Sequence, residues 1–190
     1  MLLPFIKEGF ERGEKAFHVV DPELREAHLR QLKSAGIDVA SVEEAGQFEL
    51  FDWNEYYFSD GGFDEARMMA KWDTVLEGAV QKGYPRTRVT AHLEWCREDV
   101  NVLLQYEANF NRVPRNRDPV ICTYDLSKHD GGFVIDIMRT HPMGYHRRHA
   151  PGESFLRPTR RLPARVARAR GQSQSRRNLI QVRMLSGRPH

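Results

Sequence analysis

The sequence predicts an α/β domain with a mostly parallel sheet and helices on both faces. Three observations predict it. Short apolar runs alternate with helical patterns of about ten residues or more, the signature of successive strand–helix–strand units. Start and stop residues punctuate the pattern where each element should change. A chain of 190 residues with 40% hydrophobic content can supply one core, and that length is the size of a single domain.

In chain order, Leu3, Phe5, Ile6 and Phe10 share one face of a first helix, which Gly13 ends. Ala16 to Val20 reads as a buried strand. Asp21 is an N-cap and Pro22 a first-turn residue for a helix that reaches Ala35 and stops at Gly36. Ile37 to Gly46 reads as a turn with a short acidic segment. Phe48 to Phe51 alternates as a second strand, followed by an aromatic connection holding Trp53, Tyr56, Tyr57 and Phe58. Asp64 opens a long helix to Lys82 with Met68, Met69, Trp72, Val75, Leu76 and Ala79 inward, far better explained as core than as a cofactor box. Gly83 and Pro85 break it. Thr87 to Ala91 is a third strand, His92 to Cys96 a loop, and Asp99 to Phe110 a helix with Val102, Leu103, Tyr106 and Phe110 inward. Val120 to Tyr124 is the fourth strand and Gly132 to Thr140 the last helix.

The net charge of +3 hides a split. From Gly144 onward there are 12 arginines, no lysine and one acid, Glu153, a net of +11, which leaves −8 on residues 1–143. A basic pI therefore describes the tail and not the domain, and nucleic-acid binding inferred from it would rest on the segment least suited to fold. Two cysteines, Cys96 and Cys122, suit a reduced, cytoplasmic protein and frame no disulfide scaffold. No run is long enough to span a membrane, and no signal-peptide pattern opens the chain.

Ligands of parallel sheets bind beyond the carboxyl ends of the strands. Those exits fall at Asp21, Asp52 with Trp53, His92 to Trp95, and Tyr124 with Asp125. The candidate ligand-binding residues are His92, Glu94, Trp95, Tyr124, Asp125 and His141. Three of the six have a plainer reading: Asp125 as a turn cap, His141 as a helix C-terminal histidine, Trp95 as a lid or core residue. Glu107 reads as a solvated or paired carboxylate and Cys122 as an inert buried thiol. No phosphate-cradling G-x-x-x-x-G-K-[ST], no dinucleotide G-x-G-x-x-G and no G-x-S-x-G elbow is present. His18, His28, His92, His129 and His141 show no paired metal spacing, so no catalytic residue, cofactor or metal is expected.

LLPFIKEGFERGEK followed by AFHVVDP, then FDWNEYYFSDGGFD, RVTAHLEW, YEANFN, and ICTYD followed by IMRTHPM form an ordered series. That series resembles the MEDS domain, the methanogen/methylotroph DcmR sensory domain, across nearly all of residues 1–143. The resemblance implies a fold related to RecA and KaiC without a working P-loop, a small organic ligand such as a hydrocarbon derivative, and a regulatory or kinase partner protein. Members of that family begin with a strand before the first helix, whereas Met1 falls directly at the helix. His92 stands where the family usually carries an acid after a glycine.

The tail departs from the family as well. Back-translated and read one nucleotide later, the codons from Gly144 permit Val-Ile-Ile-Gly-Gly-Met-Leu-Gln-Glu-Asn-Pro-Phe-Phe, the continuation the family shows. The expectation is a sensory domain over residues 1–143, truncated at both ends, and a disordered, frameshifted tail over 144–190. The functional expectation is a non-catalytic module for signal transduction and transcription regulation. The alternatives are a degenerate nucleotide-binding or hydrolytic enzyme, and a nucleic-acid binder acting through the tail.

Overall fold

The computed structural model describes residues 2–59, 61–95, 100–110, 118–125, 128–141, 143–146 and 179–184, the last two segments as backbone. Strands β1 (Lys15–Val20), β2 (Phe48–Asp52), β3 (Thr87–His92) and β4 (Val120–Asp125) form a parallel sheet in the order β2-β1-β3-β4. The α/β class and the parallel core are therefore as the sequence predicts. Beyond β4 lie two antiparallel strands, β6 (Leu179–Met184) against β4 and β5 (Met143–His146) at the edge. β6 takes up the hydrogen-bonding edge of β4, and β5 pairs with β6 in turn. The remainder of 144–190 lies outside the described residues.

Helices cover both faces of the sheet. On one face α1 (Leu2–Glu11), α2 (Arg25–Ser34) and α3 (Val39–Glu44) bury Phe5, Ile6, Leu32 and Val39 against Ala16, Val20, Phe48, Leu50 and Ile121. On the other, α4 (Trp53–Tyr57), α5 (Glu65–Gln81), α6 (Val100–Phe110) and α7 (Gly131–Thr140) bury a larger, aromatic-rich core. Phe17 lies at its centre, with the rings of Tyr56 and Trp72 both 5.2 Å away in edge contact. Strand alternation decides the division: Phe17 and Val19 point to the aromatic side, Ala16, His18 and Val20 to the other.

Local chemistry sets the boundaries. Asp21 accepts from the Glu23 backbone N–H and Pro22 opens a 3-10 turn, so α2 begins only at Arg25. Asp64 and Asp130 cap α5 and α7 in the same way. Two helices replace segments expected to be irregular. Residues 39–44 are helical because Asp38 accepts from Ser41 N. The aromatic connection becomes α4 because Asp52 and Glu55 form a reciprocal capping box. Val102, expected inward, is 38% exposed, since the buried stripe of α6 runs through Leu103, Tyr106, Glu107 and Phe110. No helix of the described residues is long and apolar enough to cross a membrane.

Candidate functional site

The sheet divides the six candidate residues between two places, with Trp95 apart from both. At the carboxyl edge, β3 runs out through His92 to Glu94 and β4 ends at Asp125, while Asp21 follows β1. All four are at least nine-tenths buried. The Asp21 backbone N–H donates to His92 Nδ1 at 3.4 Å. Lys128 reaches across from the segment before α7, its Nζ 4.0 Å from Asp21 Oδ2.

Glu94 is the perturbed group of this cluster. Burial pushes its carboxyl up to about 7; Asp21 and Asp125 add to the rise, while its own backbone N–H and Lys128 oppose it. Its Oε2 has no hydrogen-bond partner among the described residues. A largely protonated Glu94 near neutrality is a donor as well as an acceptor, set beside ionisable Asp21 and Asp125. The pH consequence has a definite sign. The unfolded carboxyl ionises near 4.5 and the folded one near 7, so stability falls as pH rises between those values. Glu94→Gln is expected to stabilise the protein by about 3 kcal/mol at pH 8 and to leave it unchanged at pH 4. Urea denaturation at the two pH values measures this, and an equal effect at both would assign the change to packing.

Trp95 is half-buried and joins an aromatic group, its ring 4.8 Å from Tyr57, 5.3 Å from Phe58 and 4.8 Å from Phe63. Trp95 thus packs among aromatic rings and not in the polar cluster. Cys96, from the same loop, lies outside the described residues.

Tyr124 and His141 fall on the aromatic side of the sheet, not at its edge. Tyr124 is fully buried, with Phe133 5.8 Å and His141 6.2 Å away in edge contact. Burial pushes its hydroxyl well up, with Glu107 adding to the rise, so it stays neutral. His141 meets Glu107, which sequence reasoning placed in solvent or in a strand pair; Glu107 is 1% exposed. His141 Nε2 lies 2.9 Å from Glu107 Oε2, an ion-pair distance off the line of a hydrogen bond. Burial pushes the imidazole down, but the Glu107 carboxylate and the Ile137 carbonyl more than offset this, and its net shift is upward. Cys122 Sγ is 3.6 Å from the same carboxylate oxygen. Burial first, then Glu107, raises the Cys122 thiol well above its ordinary value, which removes the thiolate a nucleophile needs.

The grouping of Glu107 with Cys122 and His141 is what sequence reasoning missed. A signal was present: Glu107 sits on the α6 stripe with Leu103, Tyr106 and Phe110, where a charge is out of place unless it has a buried partner.

No curated protein and no solved structure matches the chain. The model of the family described as MEDS, the methanogen/methylotroph DcmR sensory domain, matches residues 1–142, and the chain belongs to that family of sensory domains.

Proposed function

We propose that this protein is a cytoplasmic, non-catalytic sensor in a regulatory system. It binds a small organic molecule with hydroxyl or amine groups at the carboxyl edge of the sheet. The observation that carries the reading is the convergence of His92, Glu94, Asp125, Asp21 and Lys128 there, with Glu94 Oε2 lacking a partner among the described residues. Buried polar groups are almost always satisfied, and a ligand donor or acceptor would satisfy this one. Family membership supports the sensory role. A ligand that bridges Asp21, Glu94 and the Lys128 segment would favour one arrangement of β1, β3 and α7 over others, which is how a binding module transmits a signal to a partner.

One observation favours a rival. A carboxyl pushed up to about 7 beside other acids is the kind of group that serves acid–base catalysis, with Glu94 or Asp125 as the acid. Thermal unfolding in the presence of a panel of small alcohols, amines and amides separates the two. The sensor reading expects at least one compound to raise Tm, to be recovered unchanged, and to lose its effect in Glu94→Gln. Conversion of the compound, or of ATP with magnesium, would instead establish the enzyme. A panel without any stabilising member would remove the edge cluster as the sensing site.

A further inference from the structure

We propose that Glu107, Cys122 and His141 form a binding site for a divalent transition metal, with Zn2+ the best match. Three elements bring three different donors together: a carboxylate from α6, a thiol from β4 and an imidazole from the end of α7. Their ligand atoms all lie within 4.8 Å of one another. The Glu107–His141 edge is 2.9 Å and the Glu107–Cys122 edge 3.6 Å. A tetrahedral zinc with bonds of about 2.0–2.3 Å spaces its ligands roughly 3.5 Å apart, so the Glu107–Cys122 edge fits, the Glu107–His141 edge is about 0.6 Å short, and the Cys122–His141 edge, within 4.8 Å, would have to draw in on binding.

The second observation is the orientation of His141. Its Nδ1 lies 2.9 Å from the carbonyl oxygen of Ile137. A carbonyl only accepts, so Nδ1 carries a proton there, and Nε2, which faces Glu107, is the nitrogen left for a metal, whose binding would displace the proton that the carboxylate favours on it. His141 is 6% exposed and its Nε2 makes no aligned hydrogen bond. A backbone carbonyl on the far nitrogen is the usual way a protein fixes a ligating imidazole.

Beside the cluster, on the side away from His141, is a cavity of about 10 Å3 bordered by Glu107 and Cys122 together with aromatic and aliphatic side chains such as Trp72, Tyr106, Leu93 and Val120. It has room for one water-sized occupant. Three protein ligands with a fourth position left for water or a small ligand atom is the open arrangement of zinc. The donor set argues against Mg2+ and Ca2+, which take oxygen ligands. The site stands apart from the edge cluster, on the aromatic side of the sheet, and does not depend on the sensory reading.

The test uses the full chain, stripped with a chelator and titrated with Co2+ and then Zn2+. One equivalent of Co2+ is expected to give a thiolate-to-metal charge-transfer band that Zn2+ removes. The band should persist in Cys96→Ser and vanish in Cys122→Ser. His141→Ala and Glu107→Gln should each weaken Zn2+ binding by at least about 100-fold, more than the loss of an outer-shell partner costs. The folded wild type decides the matter even where a core variant fails to fold. A wild type that binds no stoichiometric Co2+, or a band that disappears with Cys96 instead, would leave Glu107 and His141 as a buried ion pair and overturn the site.

Discussion

Arg88→Met is expected to cost about 3–5 kcal/mol, because it leaves a buried carboxylate without its partner. Arg88 is on β3 beneath α1 and is 3% exposed; Glu14, which it contacts through Nε, is 4% exposed. Arg88 Nη1 also donates to the Phe5 carbonyl at 2.8 Å and pairs with Glu8 at 3.0 Å, and the guanidinium lies over the Phe5 ring at 4.7 Å. One side chain thus seats the first helix on the sheet. Gly9 leaves room for it, since a Cβ there would lie 2.6 Å from Arg88 Cδ. Glu8 is half-exposed and returns to water when Arg88 is removed, so Glu14 carries most of the penalty. The double variant Arg88→Met with Glu14→Leu should recover much of the loss, since an apolar pair can replace a buried ion pair at little cost. Urea denaturation of the two single variants and the double closes the cycle. Additive losses would mean that helix seating depends on apolar packing alone.

The same contrast between local and tertiary information explains what could be read in the sequence. The four parallel strands were legible because alternation and apolar runs are local, and two helix starts were legible because Asp21 and Asp64 are caps. The box of Asp52 and Glu55 that makes α4 a helix was equally local and was outweighed by the aromatic residues around it. Glu107, Cys122 and His141 are 15 and 19 residues apart in sequence, and only the crossing of α6, β4 and α7 brings them together. Arg88 and Glu14 are further apart still, joined because β1 and β3 are adjacent in the sheet. Which strands are neighbours is a property of the whole fold. Charges that pair across it look, one at a time, like misplaced surface residues.

Acidification from pH 7 to pH 4 is expected to destabilise the protein through His18 and His28. His18 is fully buried on β1, and its Nδ1 lies 2.9 Å from His28 Nε2 on α2. Burial pushes both imidazoles down, His28 to about 4 and His18 well below its ordinary value, with His28 and His92 adding repulsion at His18. A proton on either ring would place a cation in a buried site, at His18 with the Phe48 ring 5.1 Å away in edge contact. The unfolded histidines take up protons near 6.5, while the folded ones resist. The penalty is therefore absent above that value and grows as pH falls toward 4. His28 alone accounts for about 3 kcal/mol at the acid end, and His18 adds to it. Glu94 acts with the opposite sign over an overlapping range, since its burial penalty shrinks as pH falls. The comparison is cleanest in a Glu94→Gln background. There, the double variant His18→Leu with His28→Leu should flatten the pH dependence of the urea midpoint between pH 7 and 4. If the decline survives the double variant unchanged, acid sensitivity arises from the carboxylates and their ion pairs rather than from the buried histidine pair.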